Sequence, residues 1–429
     1  MDHSFKQFIQ EHDTVLDPLG RRVAKVPLTP FFYSEELVTK INLIAQSYFK
    51  LLEHLSKNYE TFKDFIGYDS DLEKLLSKCP DYDENIPLAR LDIFLTEKEG
   101  IKIVEANCET PGGNEESYHL EKIFKKKFPE LVGSAHSEDR LSLVLETLIH
   151  NYQQQMIKKG LQGEIKEKPR IILLEWENDI TRIRGEFDVF LDYARNQGFE
   201  CDIVPPQRIS FGNYAQLDGK PVDLFYRRFL LNSLPKMMKV GYDFAMKIND
   251  SKTPIINPFS SNKANSKKTQ ILFSDQNYEH LFPEELKTDL ELVRKYIPIT
   301  IDISNHSNLF GIKEQLKKEK DSWVIKGSNS YSSVDVFIGI DINPTKWDEL
   351  VEKTVGNDFI AQRKIELPRI NVKMYDSRKN ENHQMDLVYN VNPYILDGKF
   401  SGFYVRASED NLTSFKVGLM ATVLPCYKK

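Results

Sequence analysis

The sequence predicts an α/β (α+β) protein, and three observations carry that prediction. Strand-like apolar runs alternate with a helix-like stretch after residue 170, and the same alternation returns between residues 323 and 362. Ahead of both, two short apolar runs are joined by a tight turn and preceded by a long amphipathic stretch.

The elements follow in order. Leu37, Ile41, Ile44, Tyr48, Leu51, Leu52 and Leu55 recur every three or four positions, which makes one stripe of a helix with Ser34 as its N-cap. A second stripe, Leu141, Val144, Leu145, Leu148, Ile149, Tyr152 and Met156, follows Ser137 and stops near Gly160. Between the two helices, residues 88–95 and 101–107 read as strands joined through Lys98-Glu99-Gly100. After a polar linker, residues 170–174, 201–204 and 222–226 read as strands of a largely parallel sheet. A helix on Phe187, Phe190, Leu191 and Ala194, closed by Gly198, lies between the first two. Residues 323–326, 334–339 and 359–362 are further strands, with a helix over 347–355. Residues 392–406 form a hairpin about Asp397-Gly398.

Composition excludes several classes of protein. The 429 residues carry 58 Lys and Arg against 64 Asp and Glu, a net charge of −6 without a long basic run, so nucleic-acid binding through clustered cations is not expected. A mean hydropathy of −0.46, with no apolar run near the ~20 residues needed to span hydrocarbon, predicts no membrane segment. The opening residues have neither a basic nor an apolar signal region, so a cytoplasmic location is expected. Cys79, Cys108, Cys201 and Cys426 are scattered without CxxC, which suits reduced thiols. GxGxxG, GxSxG, HExxH and Walker A sequences are all absent.

The polar residues inside the first strand pair are the informative anomaly. Residues two apart on a strand share a face, so Arg90 lies beside Asp92 and Glu105 beside Asn107. Two carboxylates and an amide oxygen are the hard ligands that Mg2+ takes, and an adjacent Arg can neutralise a phosphoryl group in flight. The plainer alternative is a solvated hairpin with a surface ion pair worth at most about 1 kcal/mol.

The string ARLDIF…EANCETPGG resembles the metal-binding half of the ATP-grasp ligases, with a pattern similar to that of D-alanine–D-alanine ligases; Cys108 and the inserted Glu109 depart from it. The resemblance implies that Asp92, Glu105 and Asn107 hold Mg2+ and that Arg90 faces the transferring phosphate. Residues 323–334 resemble the lysine strand and flexible loop that clamp ATP, with Lys326 on the phosphates and residues 327–333, including Gly327, Ser328 and Ser330, closing over them. Lys267 is the expected second nucleotide lysine, chosen over its neighbours Lys263 and Lys268. Gln362 and Arg363 belong to a segment similar to the hinge that meets adenine, and Arg406 ends the hairpin as a phosphate or carboxylate partner.

The clamp follows the metal half, the reverse of the usual order, which is similar to the circularly permuted ATP-grasp group that includes glutathionylspermidine synthetase. This implies five parts: an N-terminal helical region (1–84), the metal half with helices (85–165), a Rossmann-like α/β domain (166–260), the nucleotide clamp (261–366) and closing strands (367–429).

Other candidates keep two readings. Arg182, Arg184 and Glu186 follow the first parallel strand, where such sheets bind ligands, so they either grip a substrate carboxylate or sit in a solvated loop. Arg227 and Arg228 end a strand, and only one is expected to face inward; Arg227 is the substrate candidate. Lys326 taken alone also fits a lysine snorkelling at a sheet end.

The resulting expectation is an ATP- and Mg2+-dependent ligase joining a small carboxylate to a small amine through an acyl phosphate. The alternatives are a phosphotransferase on the same ATP site, a nucleotide-binding protein without catalysis, and an interaction protein whose polar strands are incidental.

Overall fold

The computed structural model describes residues 25–238, 242–331, 334–376, 379, 381–413 and 421–429. The long helix spans Glu35–Lys57, and the Ser34 side chain accepts from the Leu37 N–H at 3.2 Å as its cap. Its stripe packs Ile41, Ile44, Leu51, Leu52 and Leu55 against Leu91, Ile93, Ile103, Val391 and Val405 of a central sheet. Leu51, Leu52 and Leu55 are fully buried, and each such side chain contributes about 1.5–3 kcal/mol over its exposed state.

That sheet has seven strands and unites segments from both ends of the chain. Its longest strand, Glu381–Leu396, pairs antiparallel with Arg369–Asp376 through its first half. Its second half pairs with Lys399–Ser408 on one side and Leu88–Thr96 on the other. Leu88–Thr96 in turn pairs with Gly100–Asn107, so the polar strand pair is an extension of the C-terminal hairpin. The hairpin turns at Asp397 (φ 45°) and Gly398 (φ 72°); two consecutive left-handed residues are what a two-residue turn matching strand twist requires.

Ile171–Leu174, Cys201–Val204, Leu224–Arg227 and Ile255–Ile256 form a four-stranded, all-parallel sheet. The helices Arg140–Lys158 and Arg184–Asn196 cover one face through Leu148, Tyr152, Phe187 and Phe190. Its fourth strand is too short for a periodicity argument to detect. A third sheet orders Thr300–Asp302, Phe359–Arg363, Trp323–Gly327 and Val336–Ile338, all antiparallel. Its helix runs Pro344–Thr354, three residues ahead of the expected start, because Asn343 caps it and Pro344 suits the first helical turn. Among the described residues no helix is long and apolar enough to cross a membrane.

Candidate active site

Asp92 and Glu105 are directly opposed across the first strand pair, as are Arg90 and Asn107. The pairing then slips, with Ile93 facing Ile103, which leaves Val104 as an extra residue in a bulge. The carbonyl of that bulged residue accepts from the Lys326 ammonium at 3.3 Å, and Gln362 Oε1 accepts from it at 2.7 Å. Lys326 is thus brought from the third sheet onto the metal-half strands, 222 residues away from Val104 in sequence. Lys267 arrives from a third direction: its Nζ lies 3.2 Å from Glu105 Oε1 and donates to the Ser330 carbonyl at 2.5 Å.

Asp92 is the hub of the opposite wall. Its Oδ1 accepts from Arg90 Nε at 2.9 Å and Asn107 Nδ2 at 3.1 Å, and its Oδ2 from Arg406 Nη2 at 2.7 Å. Burial pushes the Asp92 carboxyl up, but Arg90 and Arg406 outweigh it and hold the group below the usual carboxylate range. For Lys326 burial acts in the other direction and wins: despite Glu105, the ammonium is lowered to about 8, with Lys267 adding to the depression. Among these six side chains Arg90, Lys267, Lys326 and Arg406 face two carboxylates, so the cleft has a surplus of two positive charges.

Asp92, Glu105, Lys326, Gln362, Asn390 and Arg406 help to bound a cavity of about 120 Å3. That volume accommodates a phosphate-sized group and falls short of the ~300 Å3 typical of small-molecule pockets.

The donor set suits Mg2+ in kind. Oδ1 of Asp92 is saturated by two donors, but Oδ2 accepts only one, Glu105 presents a carboxylate directly opposite, and the bond from Asn107 to Asp92 uses its amide nitrogen rather than its oxygen.

The remaining candidates separate. Lys263 is paired with Asp81 at 2.8 Å and Lys268 with Asp358 at 3.4 Å, so Lys267 is the one of the three that meets Glu105. Gln362 lies against Lys326, whereas the Arg363 side chain pairs with Glu319 at 2.6 Å and stacks on Trp323 at 5.0 Å. The N–H groups of Arg363 and Lys364 are donated to the carbonyls of Ile299 and Ser322, so neither is open to a ligand. In the loop, Gly327 receives the Ser330 hydroxyl at its carbonyl and Ser328 receives the Lys267 N–H, at 3.0 and 2.9 Å. Ser332 and Ser333, also expected in the loop, lie outside the described residues.

Three substrate candidates are not brought to the cleft. Arg182 pairs with Asp179 and Arg184 with Asp188 on exposed helical turns. Arg227 is fully buried against Glu109 at 2.6 Å and the carbonyls of Asn257 and Pro258. The expectation that only one of Arg227 and Arg228 turns inward also fails: Arg228 is buried on Glu115 and Glu186, at 3.0 and 2.9 Å. Their strand lies inside a parallel sheet covered on both faces, so both sides of its end are interior.

Sequence reasoning missed Tyr404. Its ring lies beneath both Arg90 and Arg406, with centroid distances of 5.6 and 5.8 Å, and its hydroxyl donates to Glu116 at 3.0 Å. Tyr404 is two residues from Arg406 on one strand and so shares its face, a signal that was available.

No protein family matches the sequence, and neither does any curated protein. Among solved structures, a glutathione synthetase-like effector from Globodera pallida in its apo form matches with a TM-score of 0.62 at 13% identity, covering 100% of this chain and 98% of that one. The two chains share a fold. It is a mixed α/β fold, with the Arg90-to-Asn107 strands ahead of the Lys326 sheet in this chain. Two other structures are more distant. A putative gamma-glutamylcysteine synthetase from Methylobacillus flagellatus has a TM-score of 0.45 at 12% identity, covering 89% of this chain and 88% of that one. D-alanyl-alanine synthetase A from Vibrio cholerae has 0.32 at 11%, covering 60% and 74%.

Proposed function

We propose that this chain is an ATP- and Mg2+-dependent carboxylate–amine ligase that makes an amide bond through an acyl phosphate. The observation that carries the reading is the meeting of Lys326 and Lys267 with Glu105 and Asp92 in one cleft with surplus positive charge. A surface hairpin, the plainer alternative, would not bury Arg90 and Asp92 to 8% exposure each or draw two cations from distant segments onto its carboxylates and a third onto its backbone. Mg2+, held by Asp92, Glu105 and Asn107, would supply charge neutralisation on the polyphosphate when bound.

Lys326 and Lys267 bind phosphate oxygens. Arg90 and Arg406, fixed in place by their bonds to Asp92 and by the ring of Tyr404, present guanidinium groups to the phosphoryl group as charge builds on it. The substrate carboxylate takes the γ-phosphoryl and ADP leaves; the amine then attacks the acyl carbon and phosphate leaves. No enzyme nucleophile is needed, because the protein positions the groups and excludes water while residues 327–331 cover the intermediate.

The test supplies purified protein with ATP, Mg2+ and pooled small carboxylic acids and amines, follows ADP, and identifies products by mass. ADP formation that requires both pools and yields an amide is expected. A phosphorylated product with no amide, or ATP binding in Mg2+ that survives Glu105→Ala unchanged, would overturn the assignment.

A further inference from the structure

Glu105 is assigned above to a metal, yet its carboxylate already holds a cation of the protein. Lys267 Nζ lies 3.2 Å from Glu105 Oε1, with the lysine side chain 5% exposed and that of Glu105 28%. The same ammonium donates to the Ser330 carbonyl at 2.5 Å, and the Lys267 backbone N–H donates to the Ser328 carbonyl at 2.9 Å. One lysine therefore ties the polar strand pair to the loop of residues 327–331. Asp92, the facing carboxylate, is likewise engaged by Arg90 and Arg406, at 2.9 and 2.7 Å. Both carboxylates of the metal set are thus neutralised from within the chain.

Charge then decides what can displace Lys267. Arg90, Lys267, Lys326 and Arg406 outnumber the two carboxylates, and Lys364 on the wall of the same cavity adds to the surplus. A divalent cation entering alone would raise the positive charge further, and it would have to lift Lys267 from Glu105. The lysine sits where water scarcely reaches it, and a buried charge separated from its partner is strongly unfavourable. The Ser330 carbonyl would remain to it, but a neutral acceptor does not replace a carboxylate. A polyphosphate removes both obstacles. Its oxygens receive the ammonium, its negative charge offsets the surplus, and Glu105 is released as the anion arrives.

We infer that Lys267 is an autoinhibitory cation, seated on Glu105 so that the metal site opens only together with the binding of a polyphosphate. The inference rests on the metal and phosphate roles given to Glu105 and Lys267 in the ligase reading, and deepens that reading by setting an order of binding. Linkage makes the effect reciprocal, so metal and nucleotide each raise the affinity for the other. The Ser330 carbonyl loses its ammonium in the same step, which releases one tether of the loop.

The probe is Mn2+, followed by the EPR signal of its free form and titrated into the full chain without nucleotide. Lys267→Met removes the seated charge, Lys267→Arg keeps one, and Lys364→Met takes a charge from the cavity wall while leaving Lys267 and Glu105 in place. Lys267→Met should bind Mn2+ about ten-fold or more tighter than wild type, with the other two variants within about three-fold of wild type. In wild type, ADP should raise Mn2+ affinity by about ten-fold or more, after allowance for the metal that ADP holds in solution. Wild type binding Mn2+ without ADP as tightly as Lys267→Met would overturn the inference. So would an equal gain in Lys364→Met, which would reduce the effect to total charge, or a wild-type Mn2+ affinity indifferent to ADP. That last measurement needs no variant and decides the matter if Lys267→Met does not fold. The two readings fail separately. Amide product together with tight Mn2+ binding by wild type without nucleotide removes the interlock alone, whereas the expected Mn2+ pattern without any amide product removes the ligase reading and leaves the interlock.

Discussion

Replacing Lys326 with methionine should stabilise the nucleotide-free protein and abolish its response to ATP. Lys326 is 7% exposed, and burial together with Lys267 lowers its ammonium from 10.5 to about 8. At about 1.4 kcal/mol per unit, holding that charge in the folded state at pH 7 costs roughly 3 kcal/mol relative to the unfolded chain. Methionine removes this cost but leaves Gln362 Oε1 without its donor at 2.7 Å, a loss of about 1–3 kcal/mol. A net gain of about 1 kcal/mol is expected in urea denaturation at pH 7 with EDTA. The order of stability should then reverse with rising pH, leaving wild type about 2 kcal/mol the more stable. Between about 8 and 10.5 the unfolded wild type binds the Lys326 proton and the folded form does not, so wild-type stability rises by up to roughly 3 kcal/mol, a rise the variant lacks. With Mg2+ and ATP at about 100 times the dissociation constant, wild type should gain about 2.7 kcal/mol and the variant nothing. A variant less stable than wild type by more than 1 kcal/mol at pH 7, or one still stabilised by ATP, would refute the picture of a lysine kept charged for an anion.

Asp92→Asn removes the charge that holds Arg90 and Arg406 in a buried wall, and a stability loss of about 3 kcal/mol is expected by denaturant titration, together with loss of Mg2+-dependent nucleotide binding. Glu109→Gln breaks the pair with Arg227, whose side chains are 2% and 0% exposed; stability should fall by about 3–5 kcal/mol while substrate KM values, measured at low temperature, stay within two-fold. A changed KM without a stability loss would return Arg227 to the substrate site. Gly113→Ala places a Cβ 2.6 Å from the Tyr404 ring at a residue with φ of 95°, so the ring must shift beneath Arg90 and Arg406. Turnover should drop more than ten-fold, with ATP affinity changed less; full activity would show that Tyr404 does not position the two arginines.

Much of the candidate site was legible because its first half is local. Strand alternation places Arg90 beside Asp92 and Glu105 beside Asn107 without reference to the rest of the chain, and the structure has those strands in that register. The bulge at Val104, which gives Lys326 a carbonyl to reach, has no mark in the sequence pattern. Neither had Arg182 and Arg184, which follow a parallel strand as a ligand-binding loop would but fold into helical turns with their own carboxylates three and four residues away. Arg227 and Arg228 were misjudged for a related reason. Whether a strand end is interior on one side or both depends on what packs over the sheet, and Glu109, Glu115 and Glu186 come from other segments of the chain.

The amino-acid order alone determined four of the helices, the polar strand pair and the lysine strand. These depend on periodicity, capping and turn chemistry, which act over a few residues. The folded chain alone decided that Lys267, Lys326 and Arg406 converge on the strand pair that carries Glu105 and Asp92. Contacts between residues hundreds of positions apart are selected by the burial and charge balance of the whole molecule, and no local pattern encodes them.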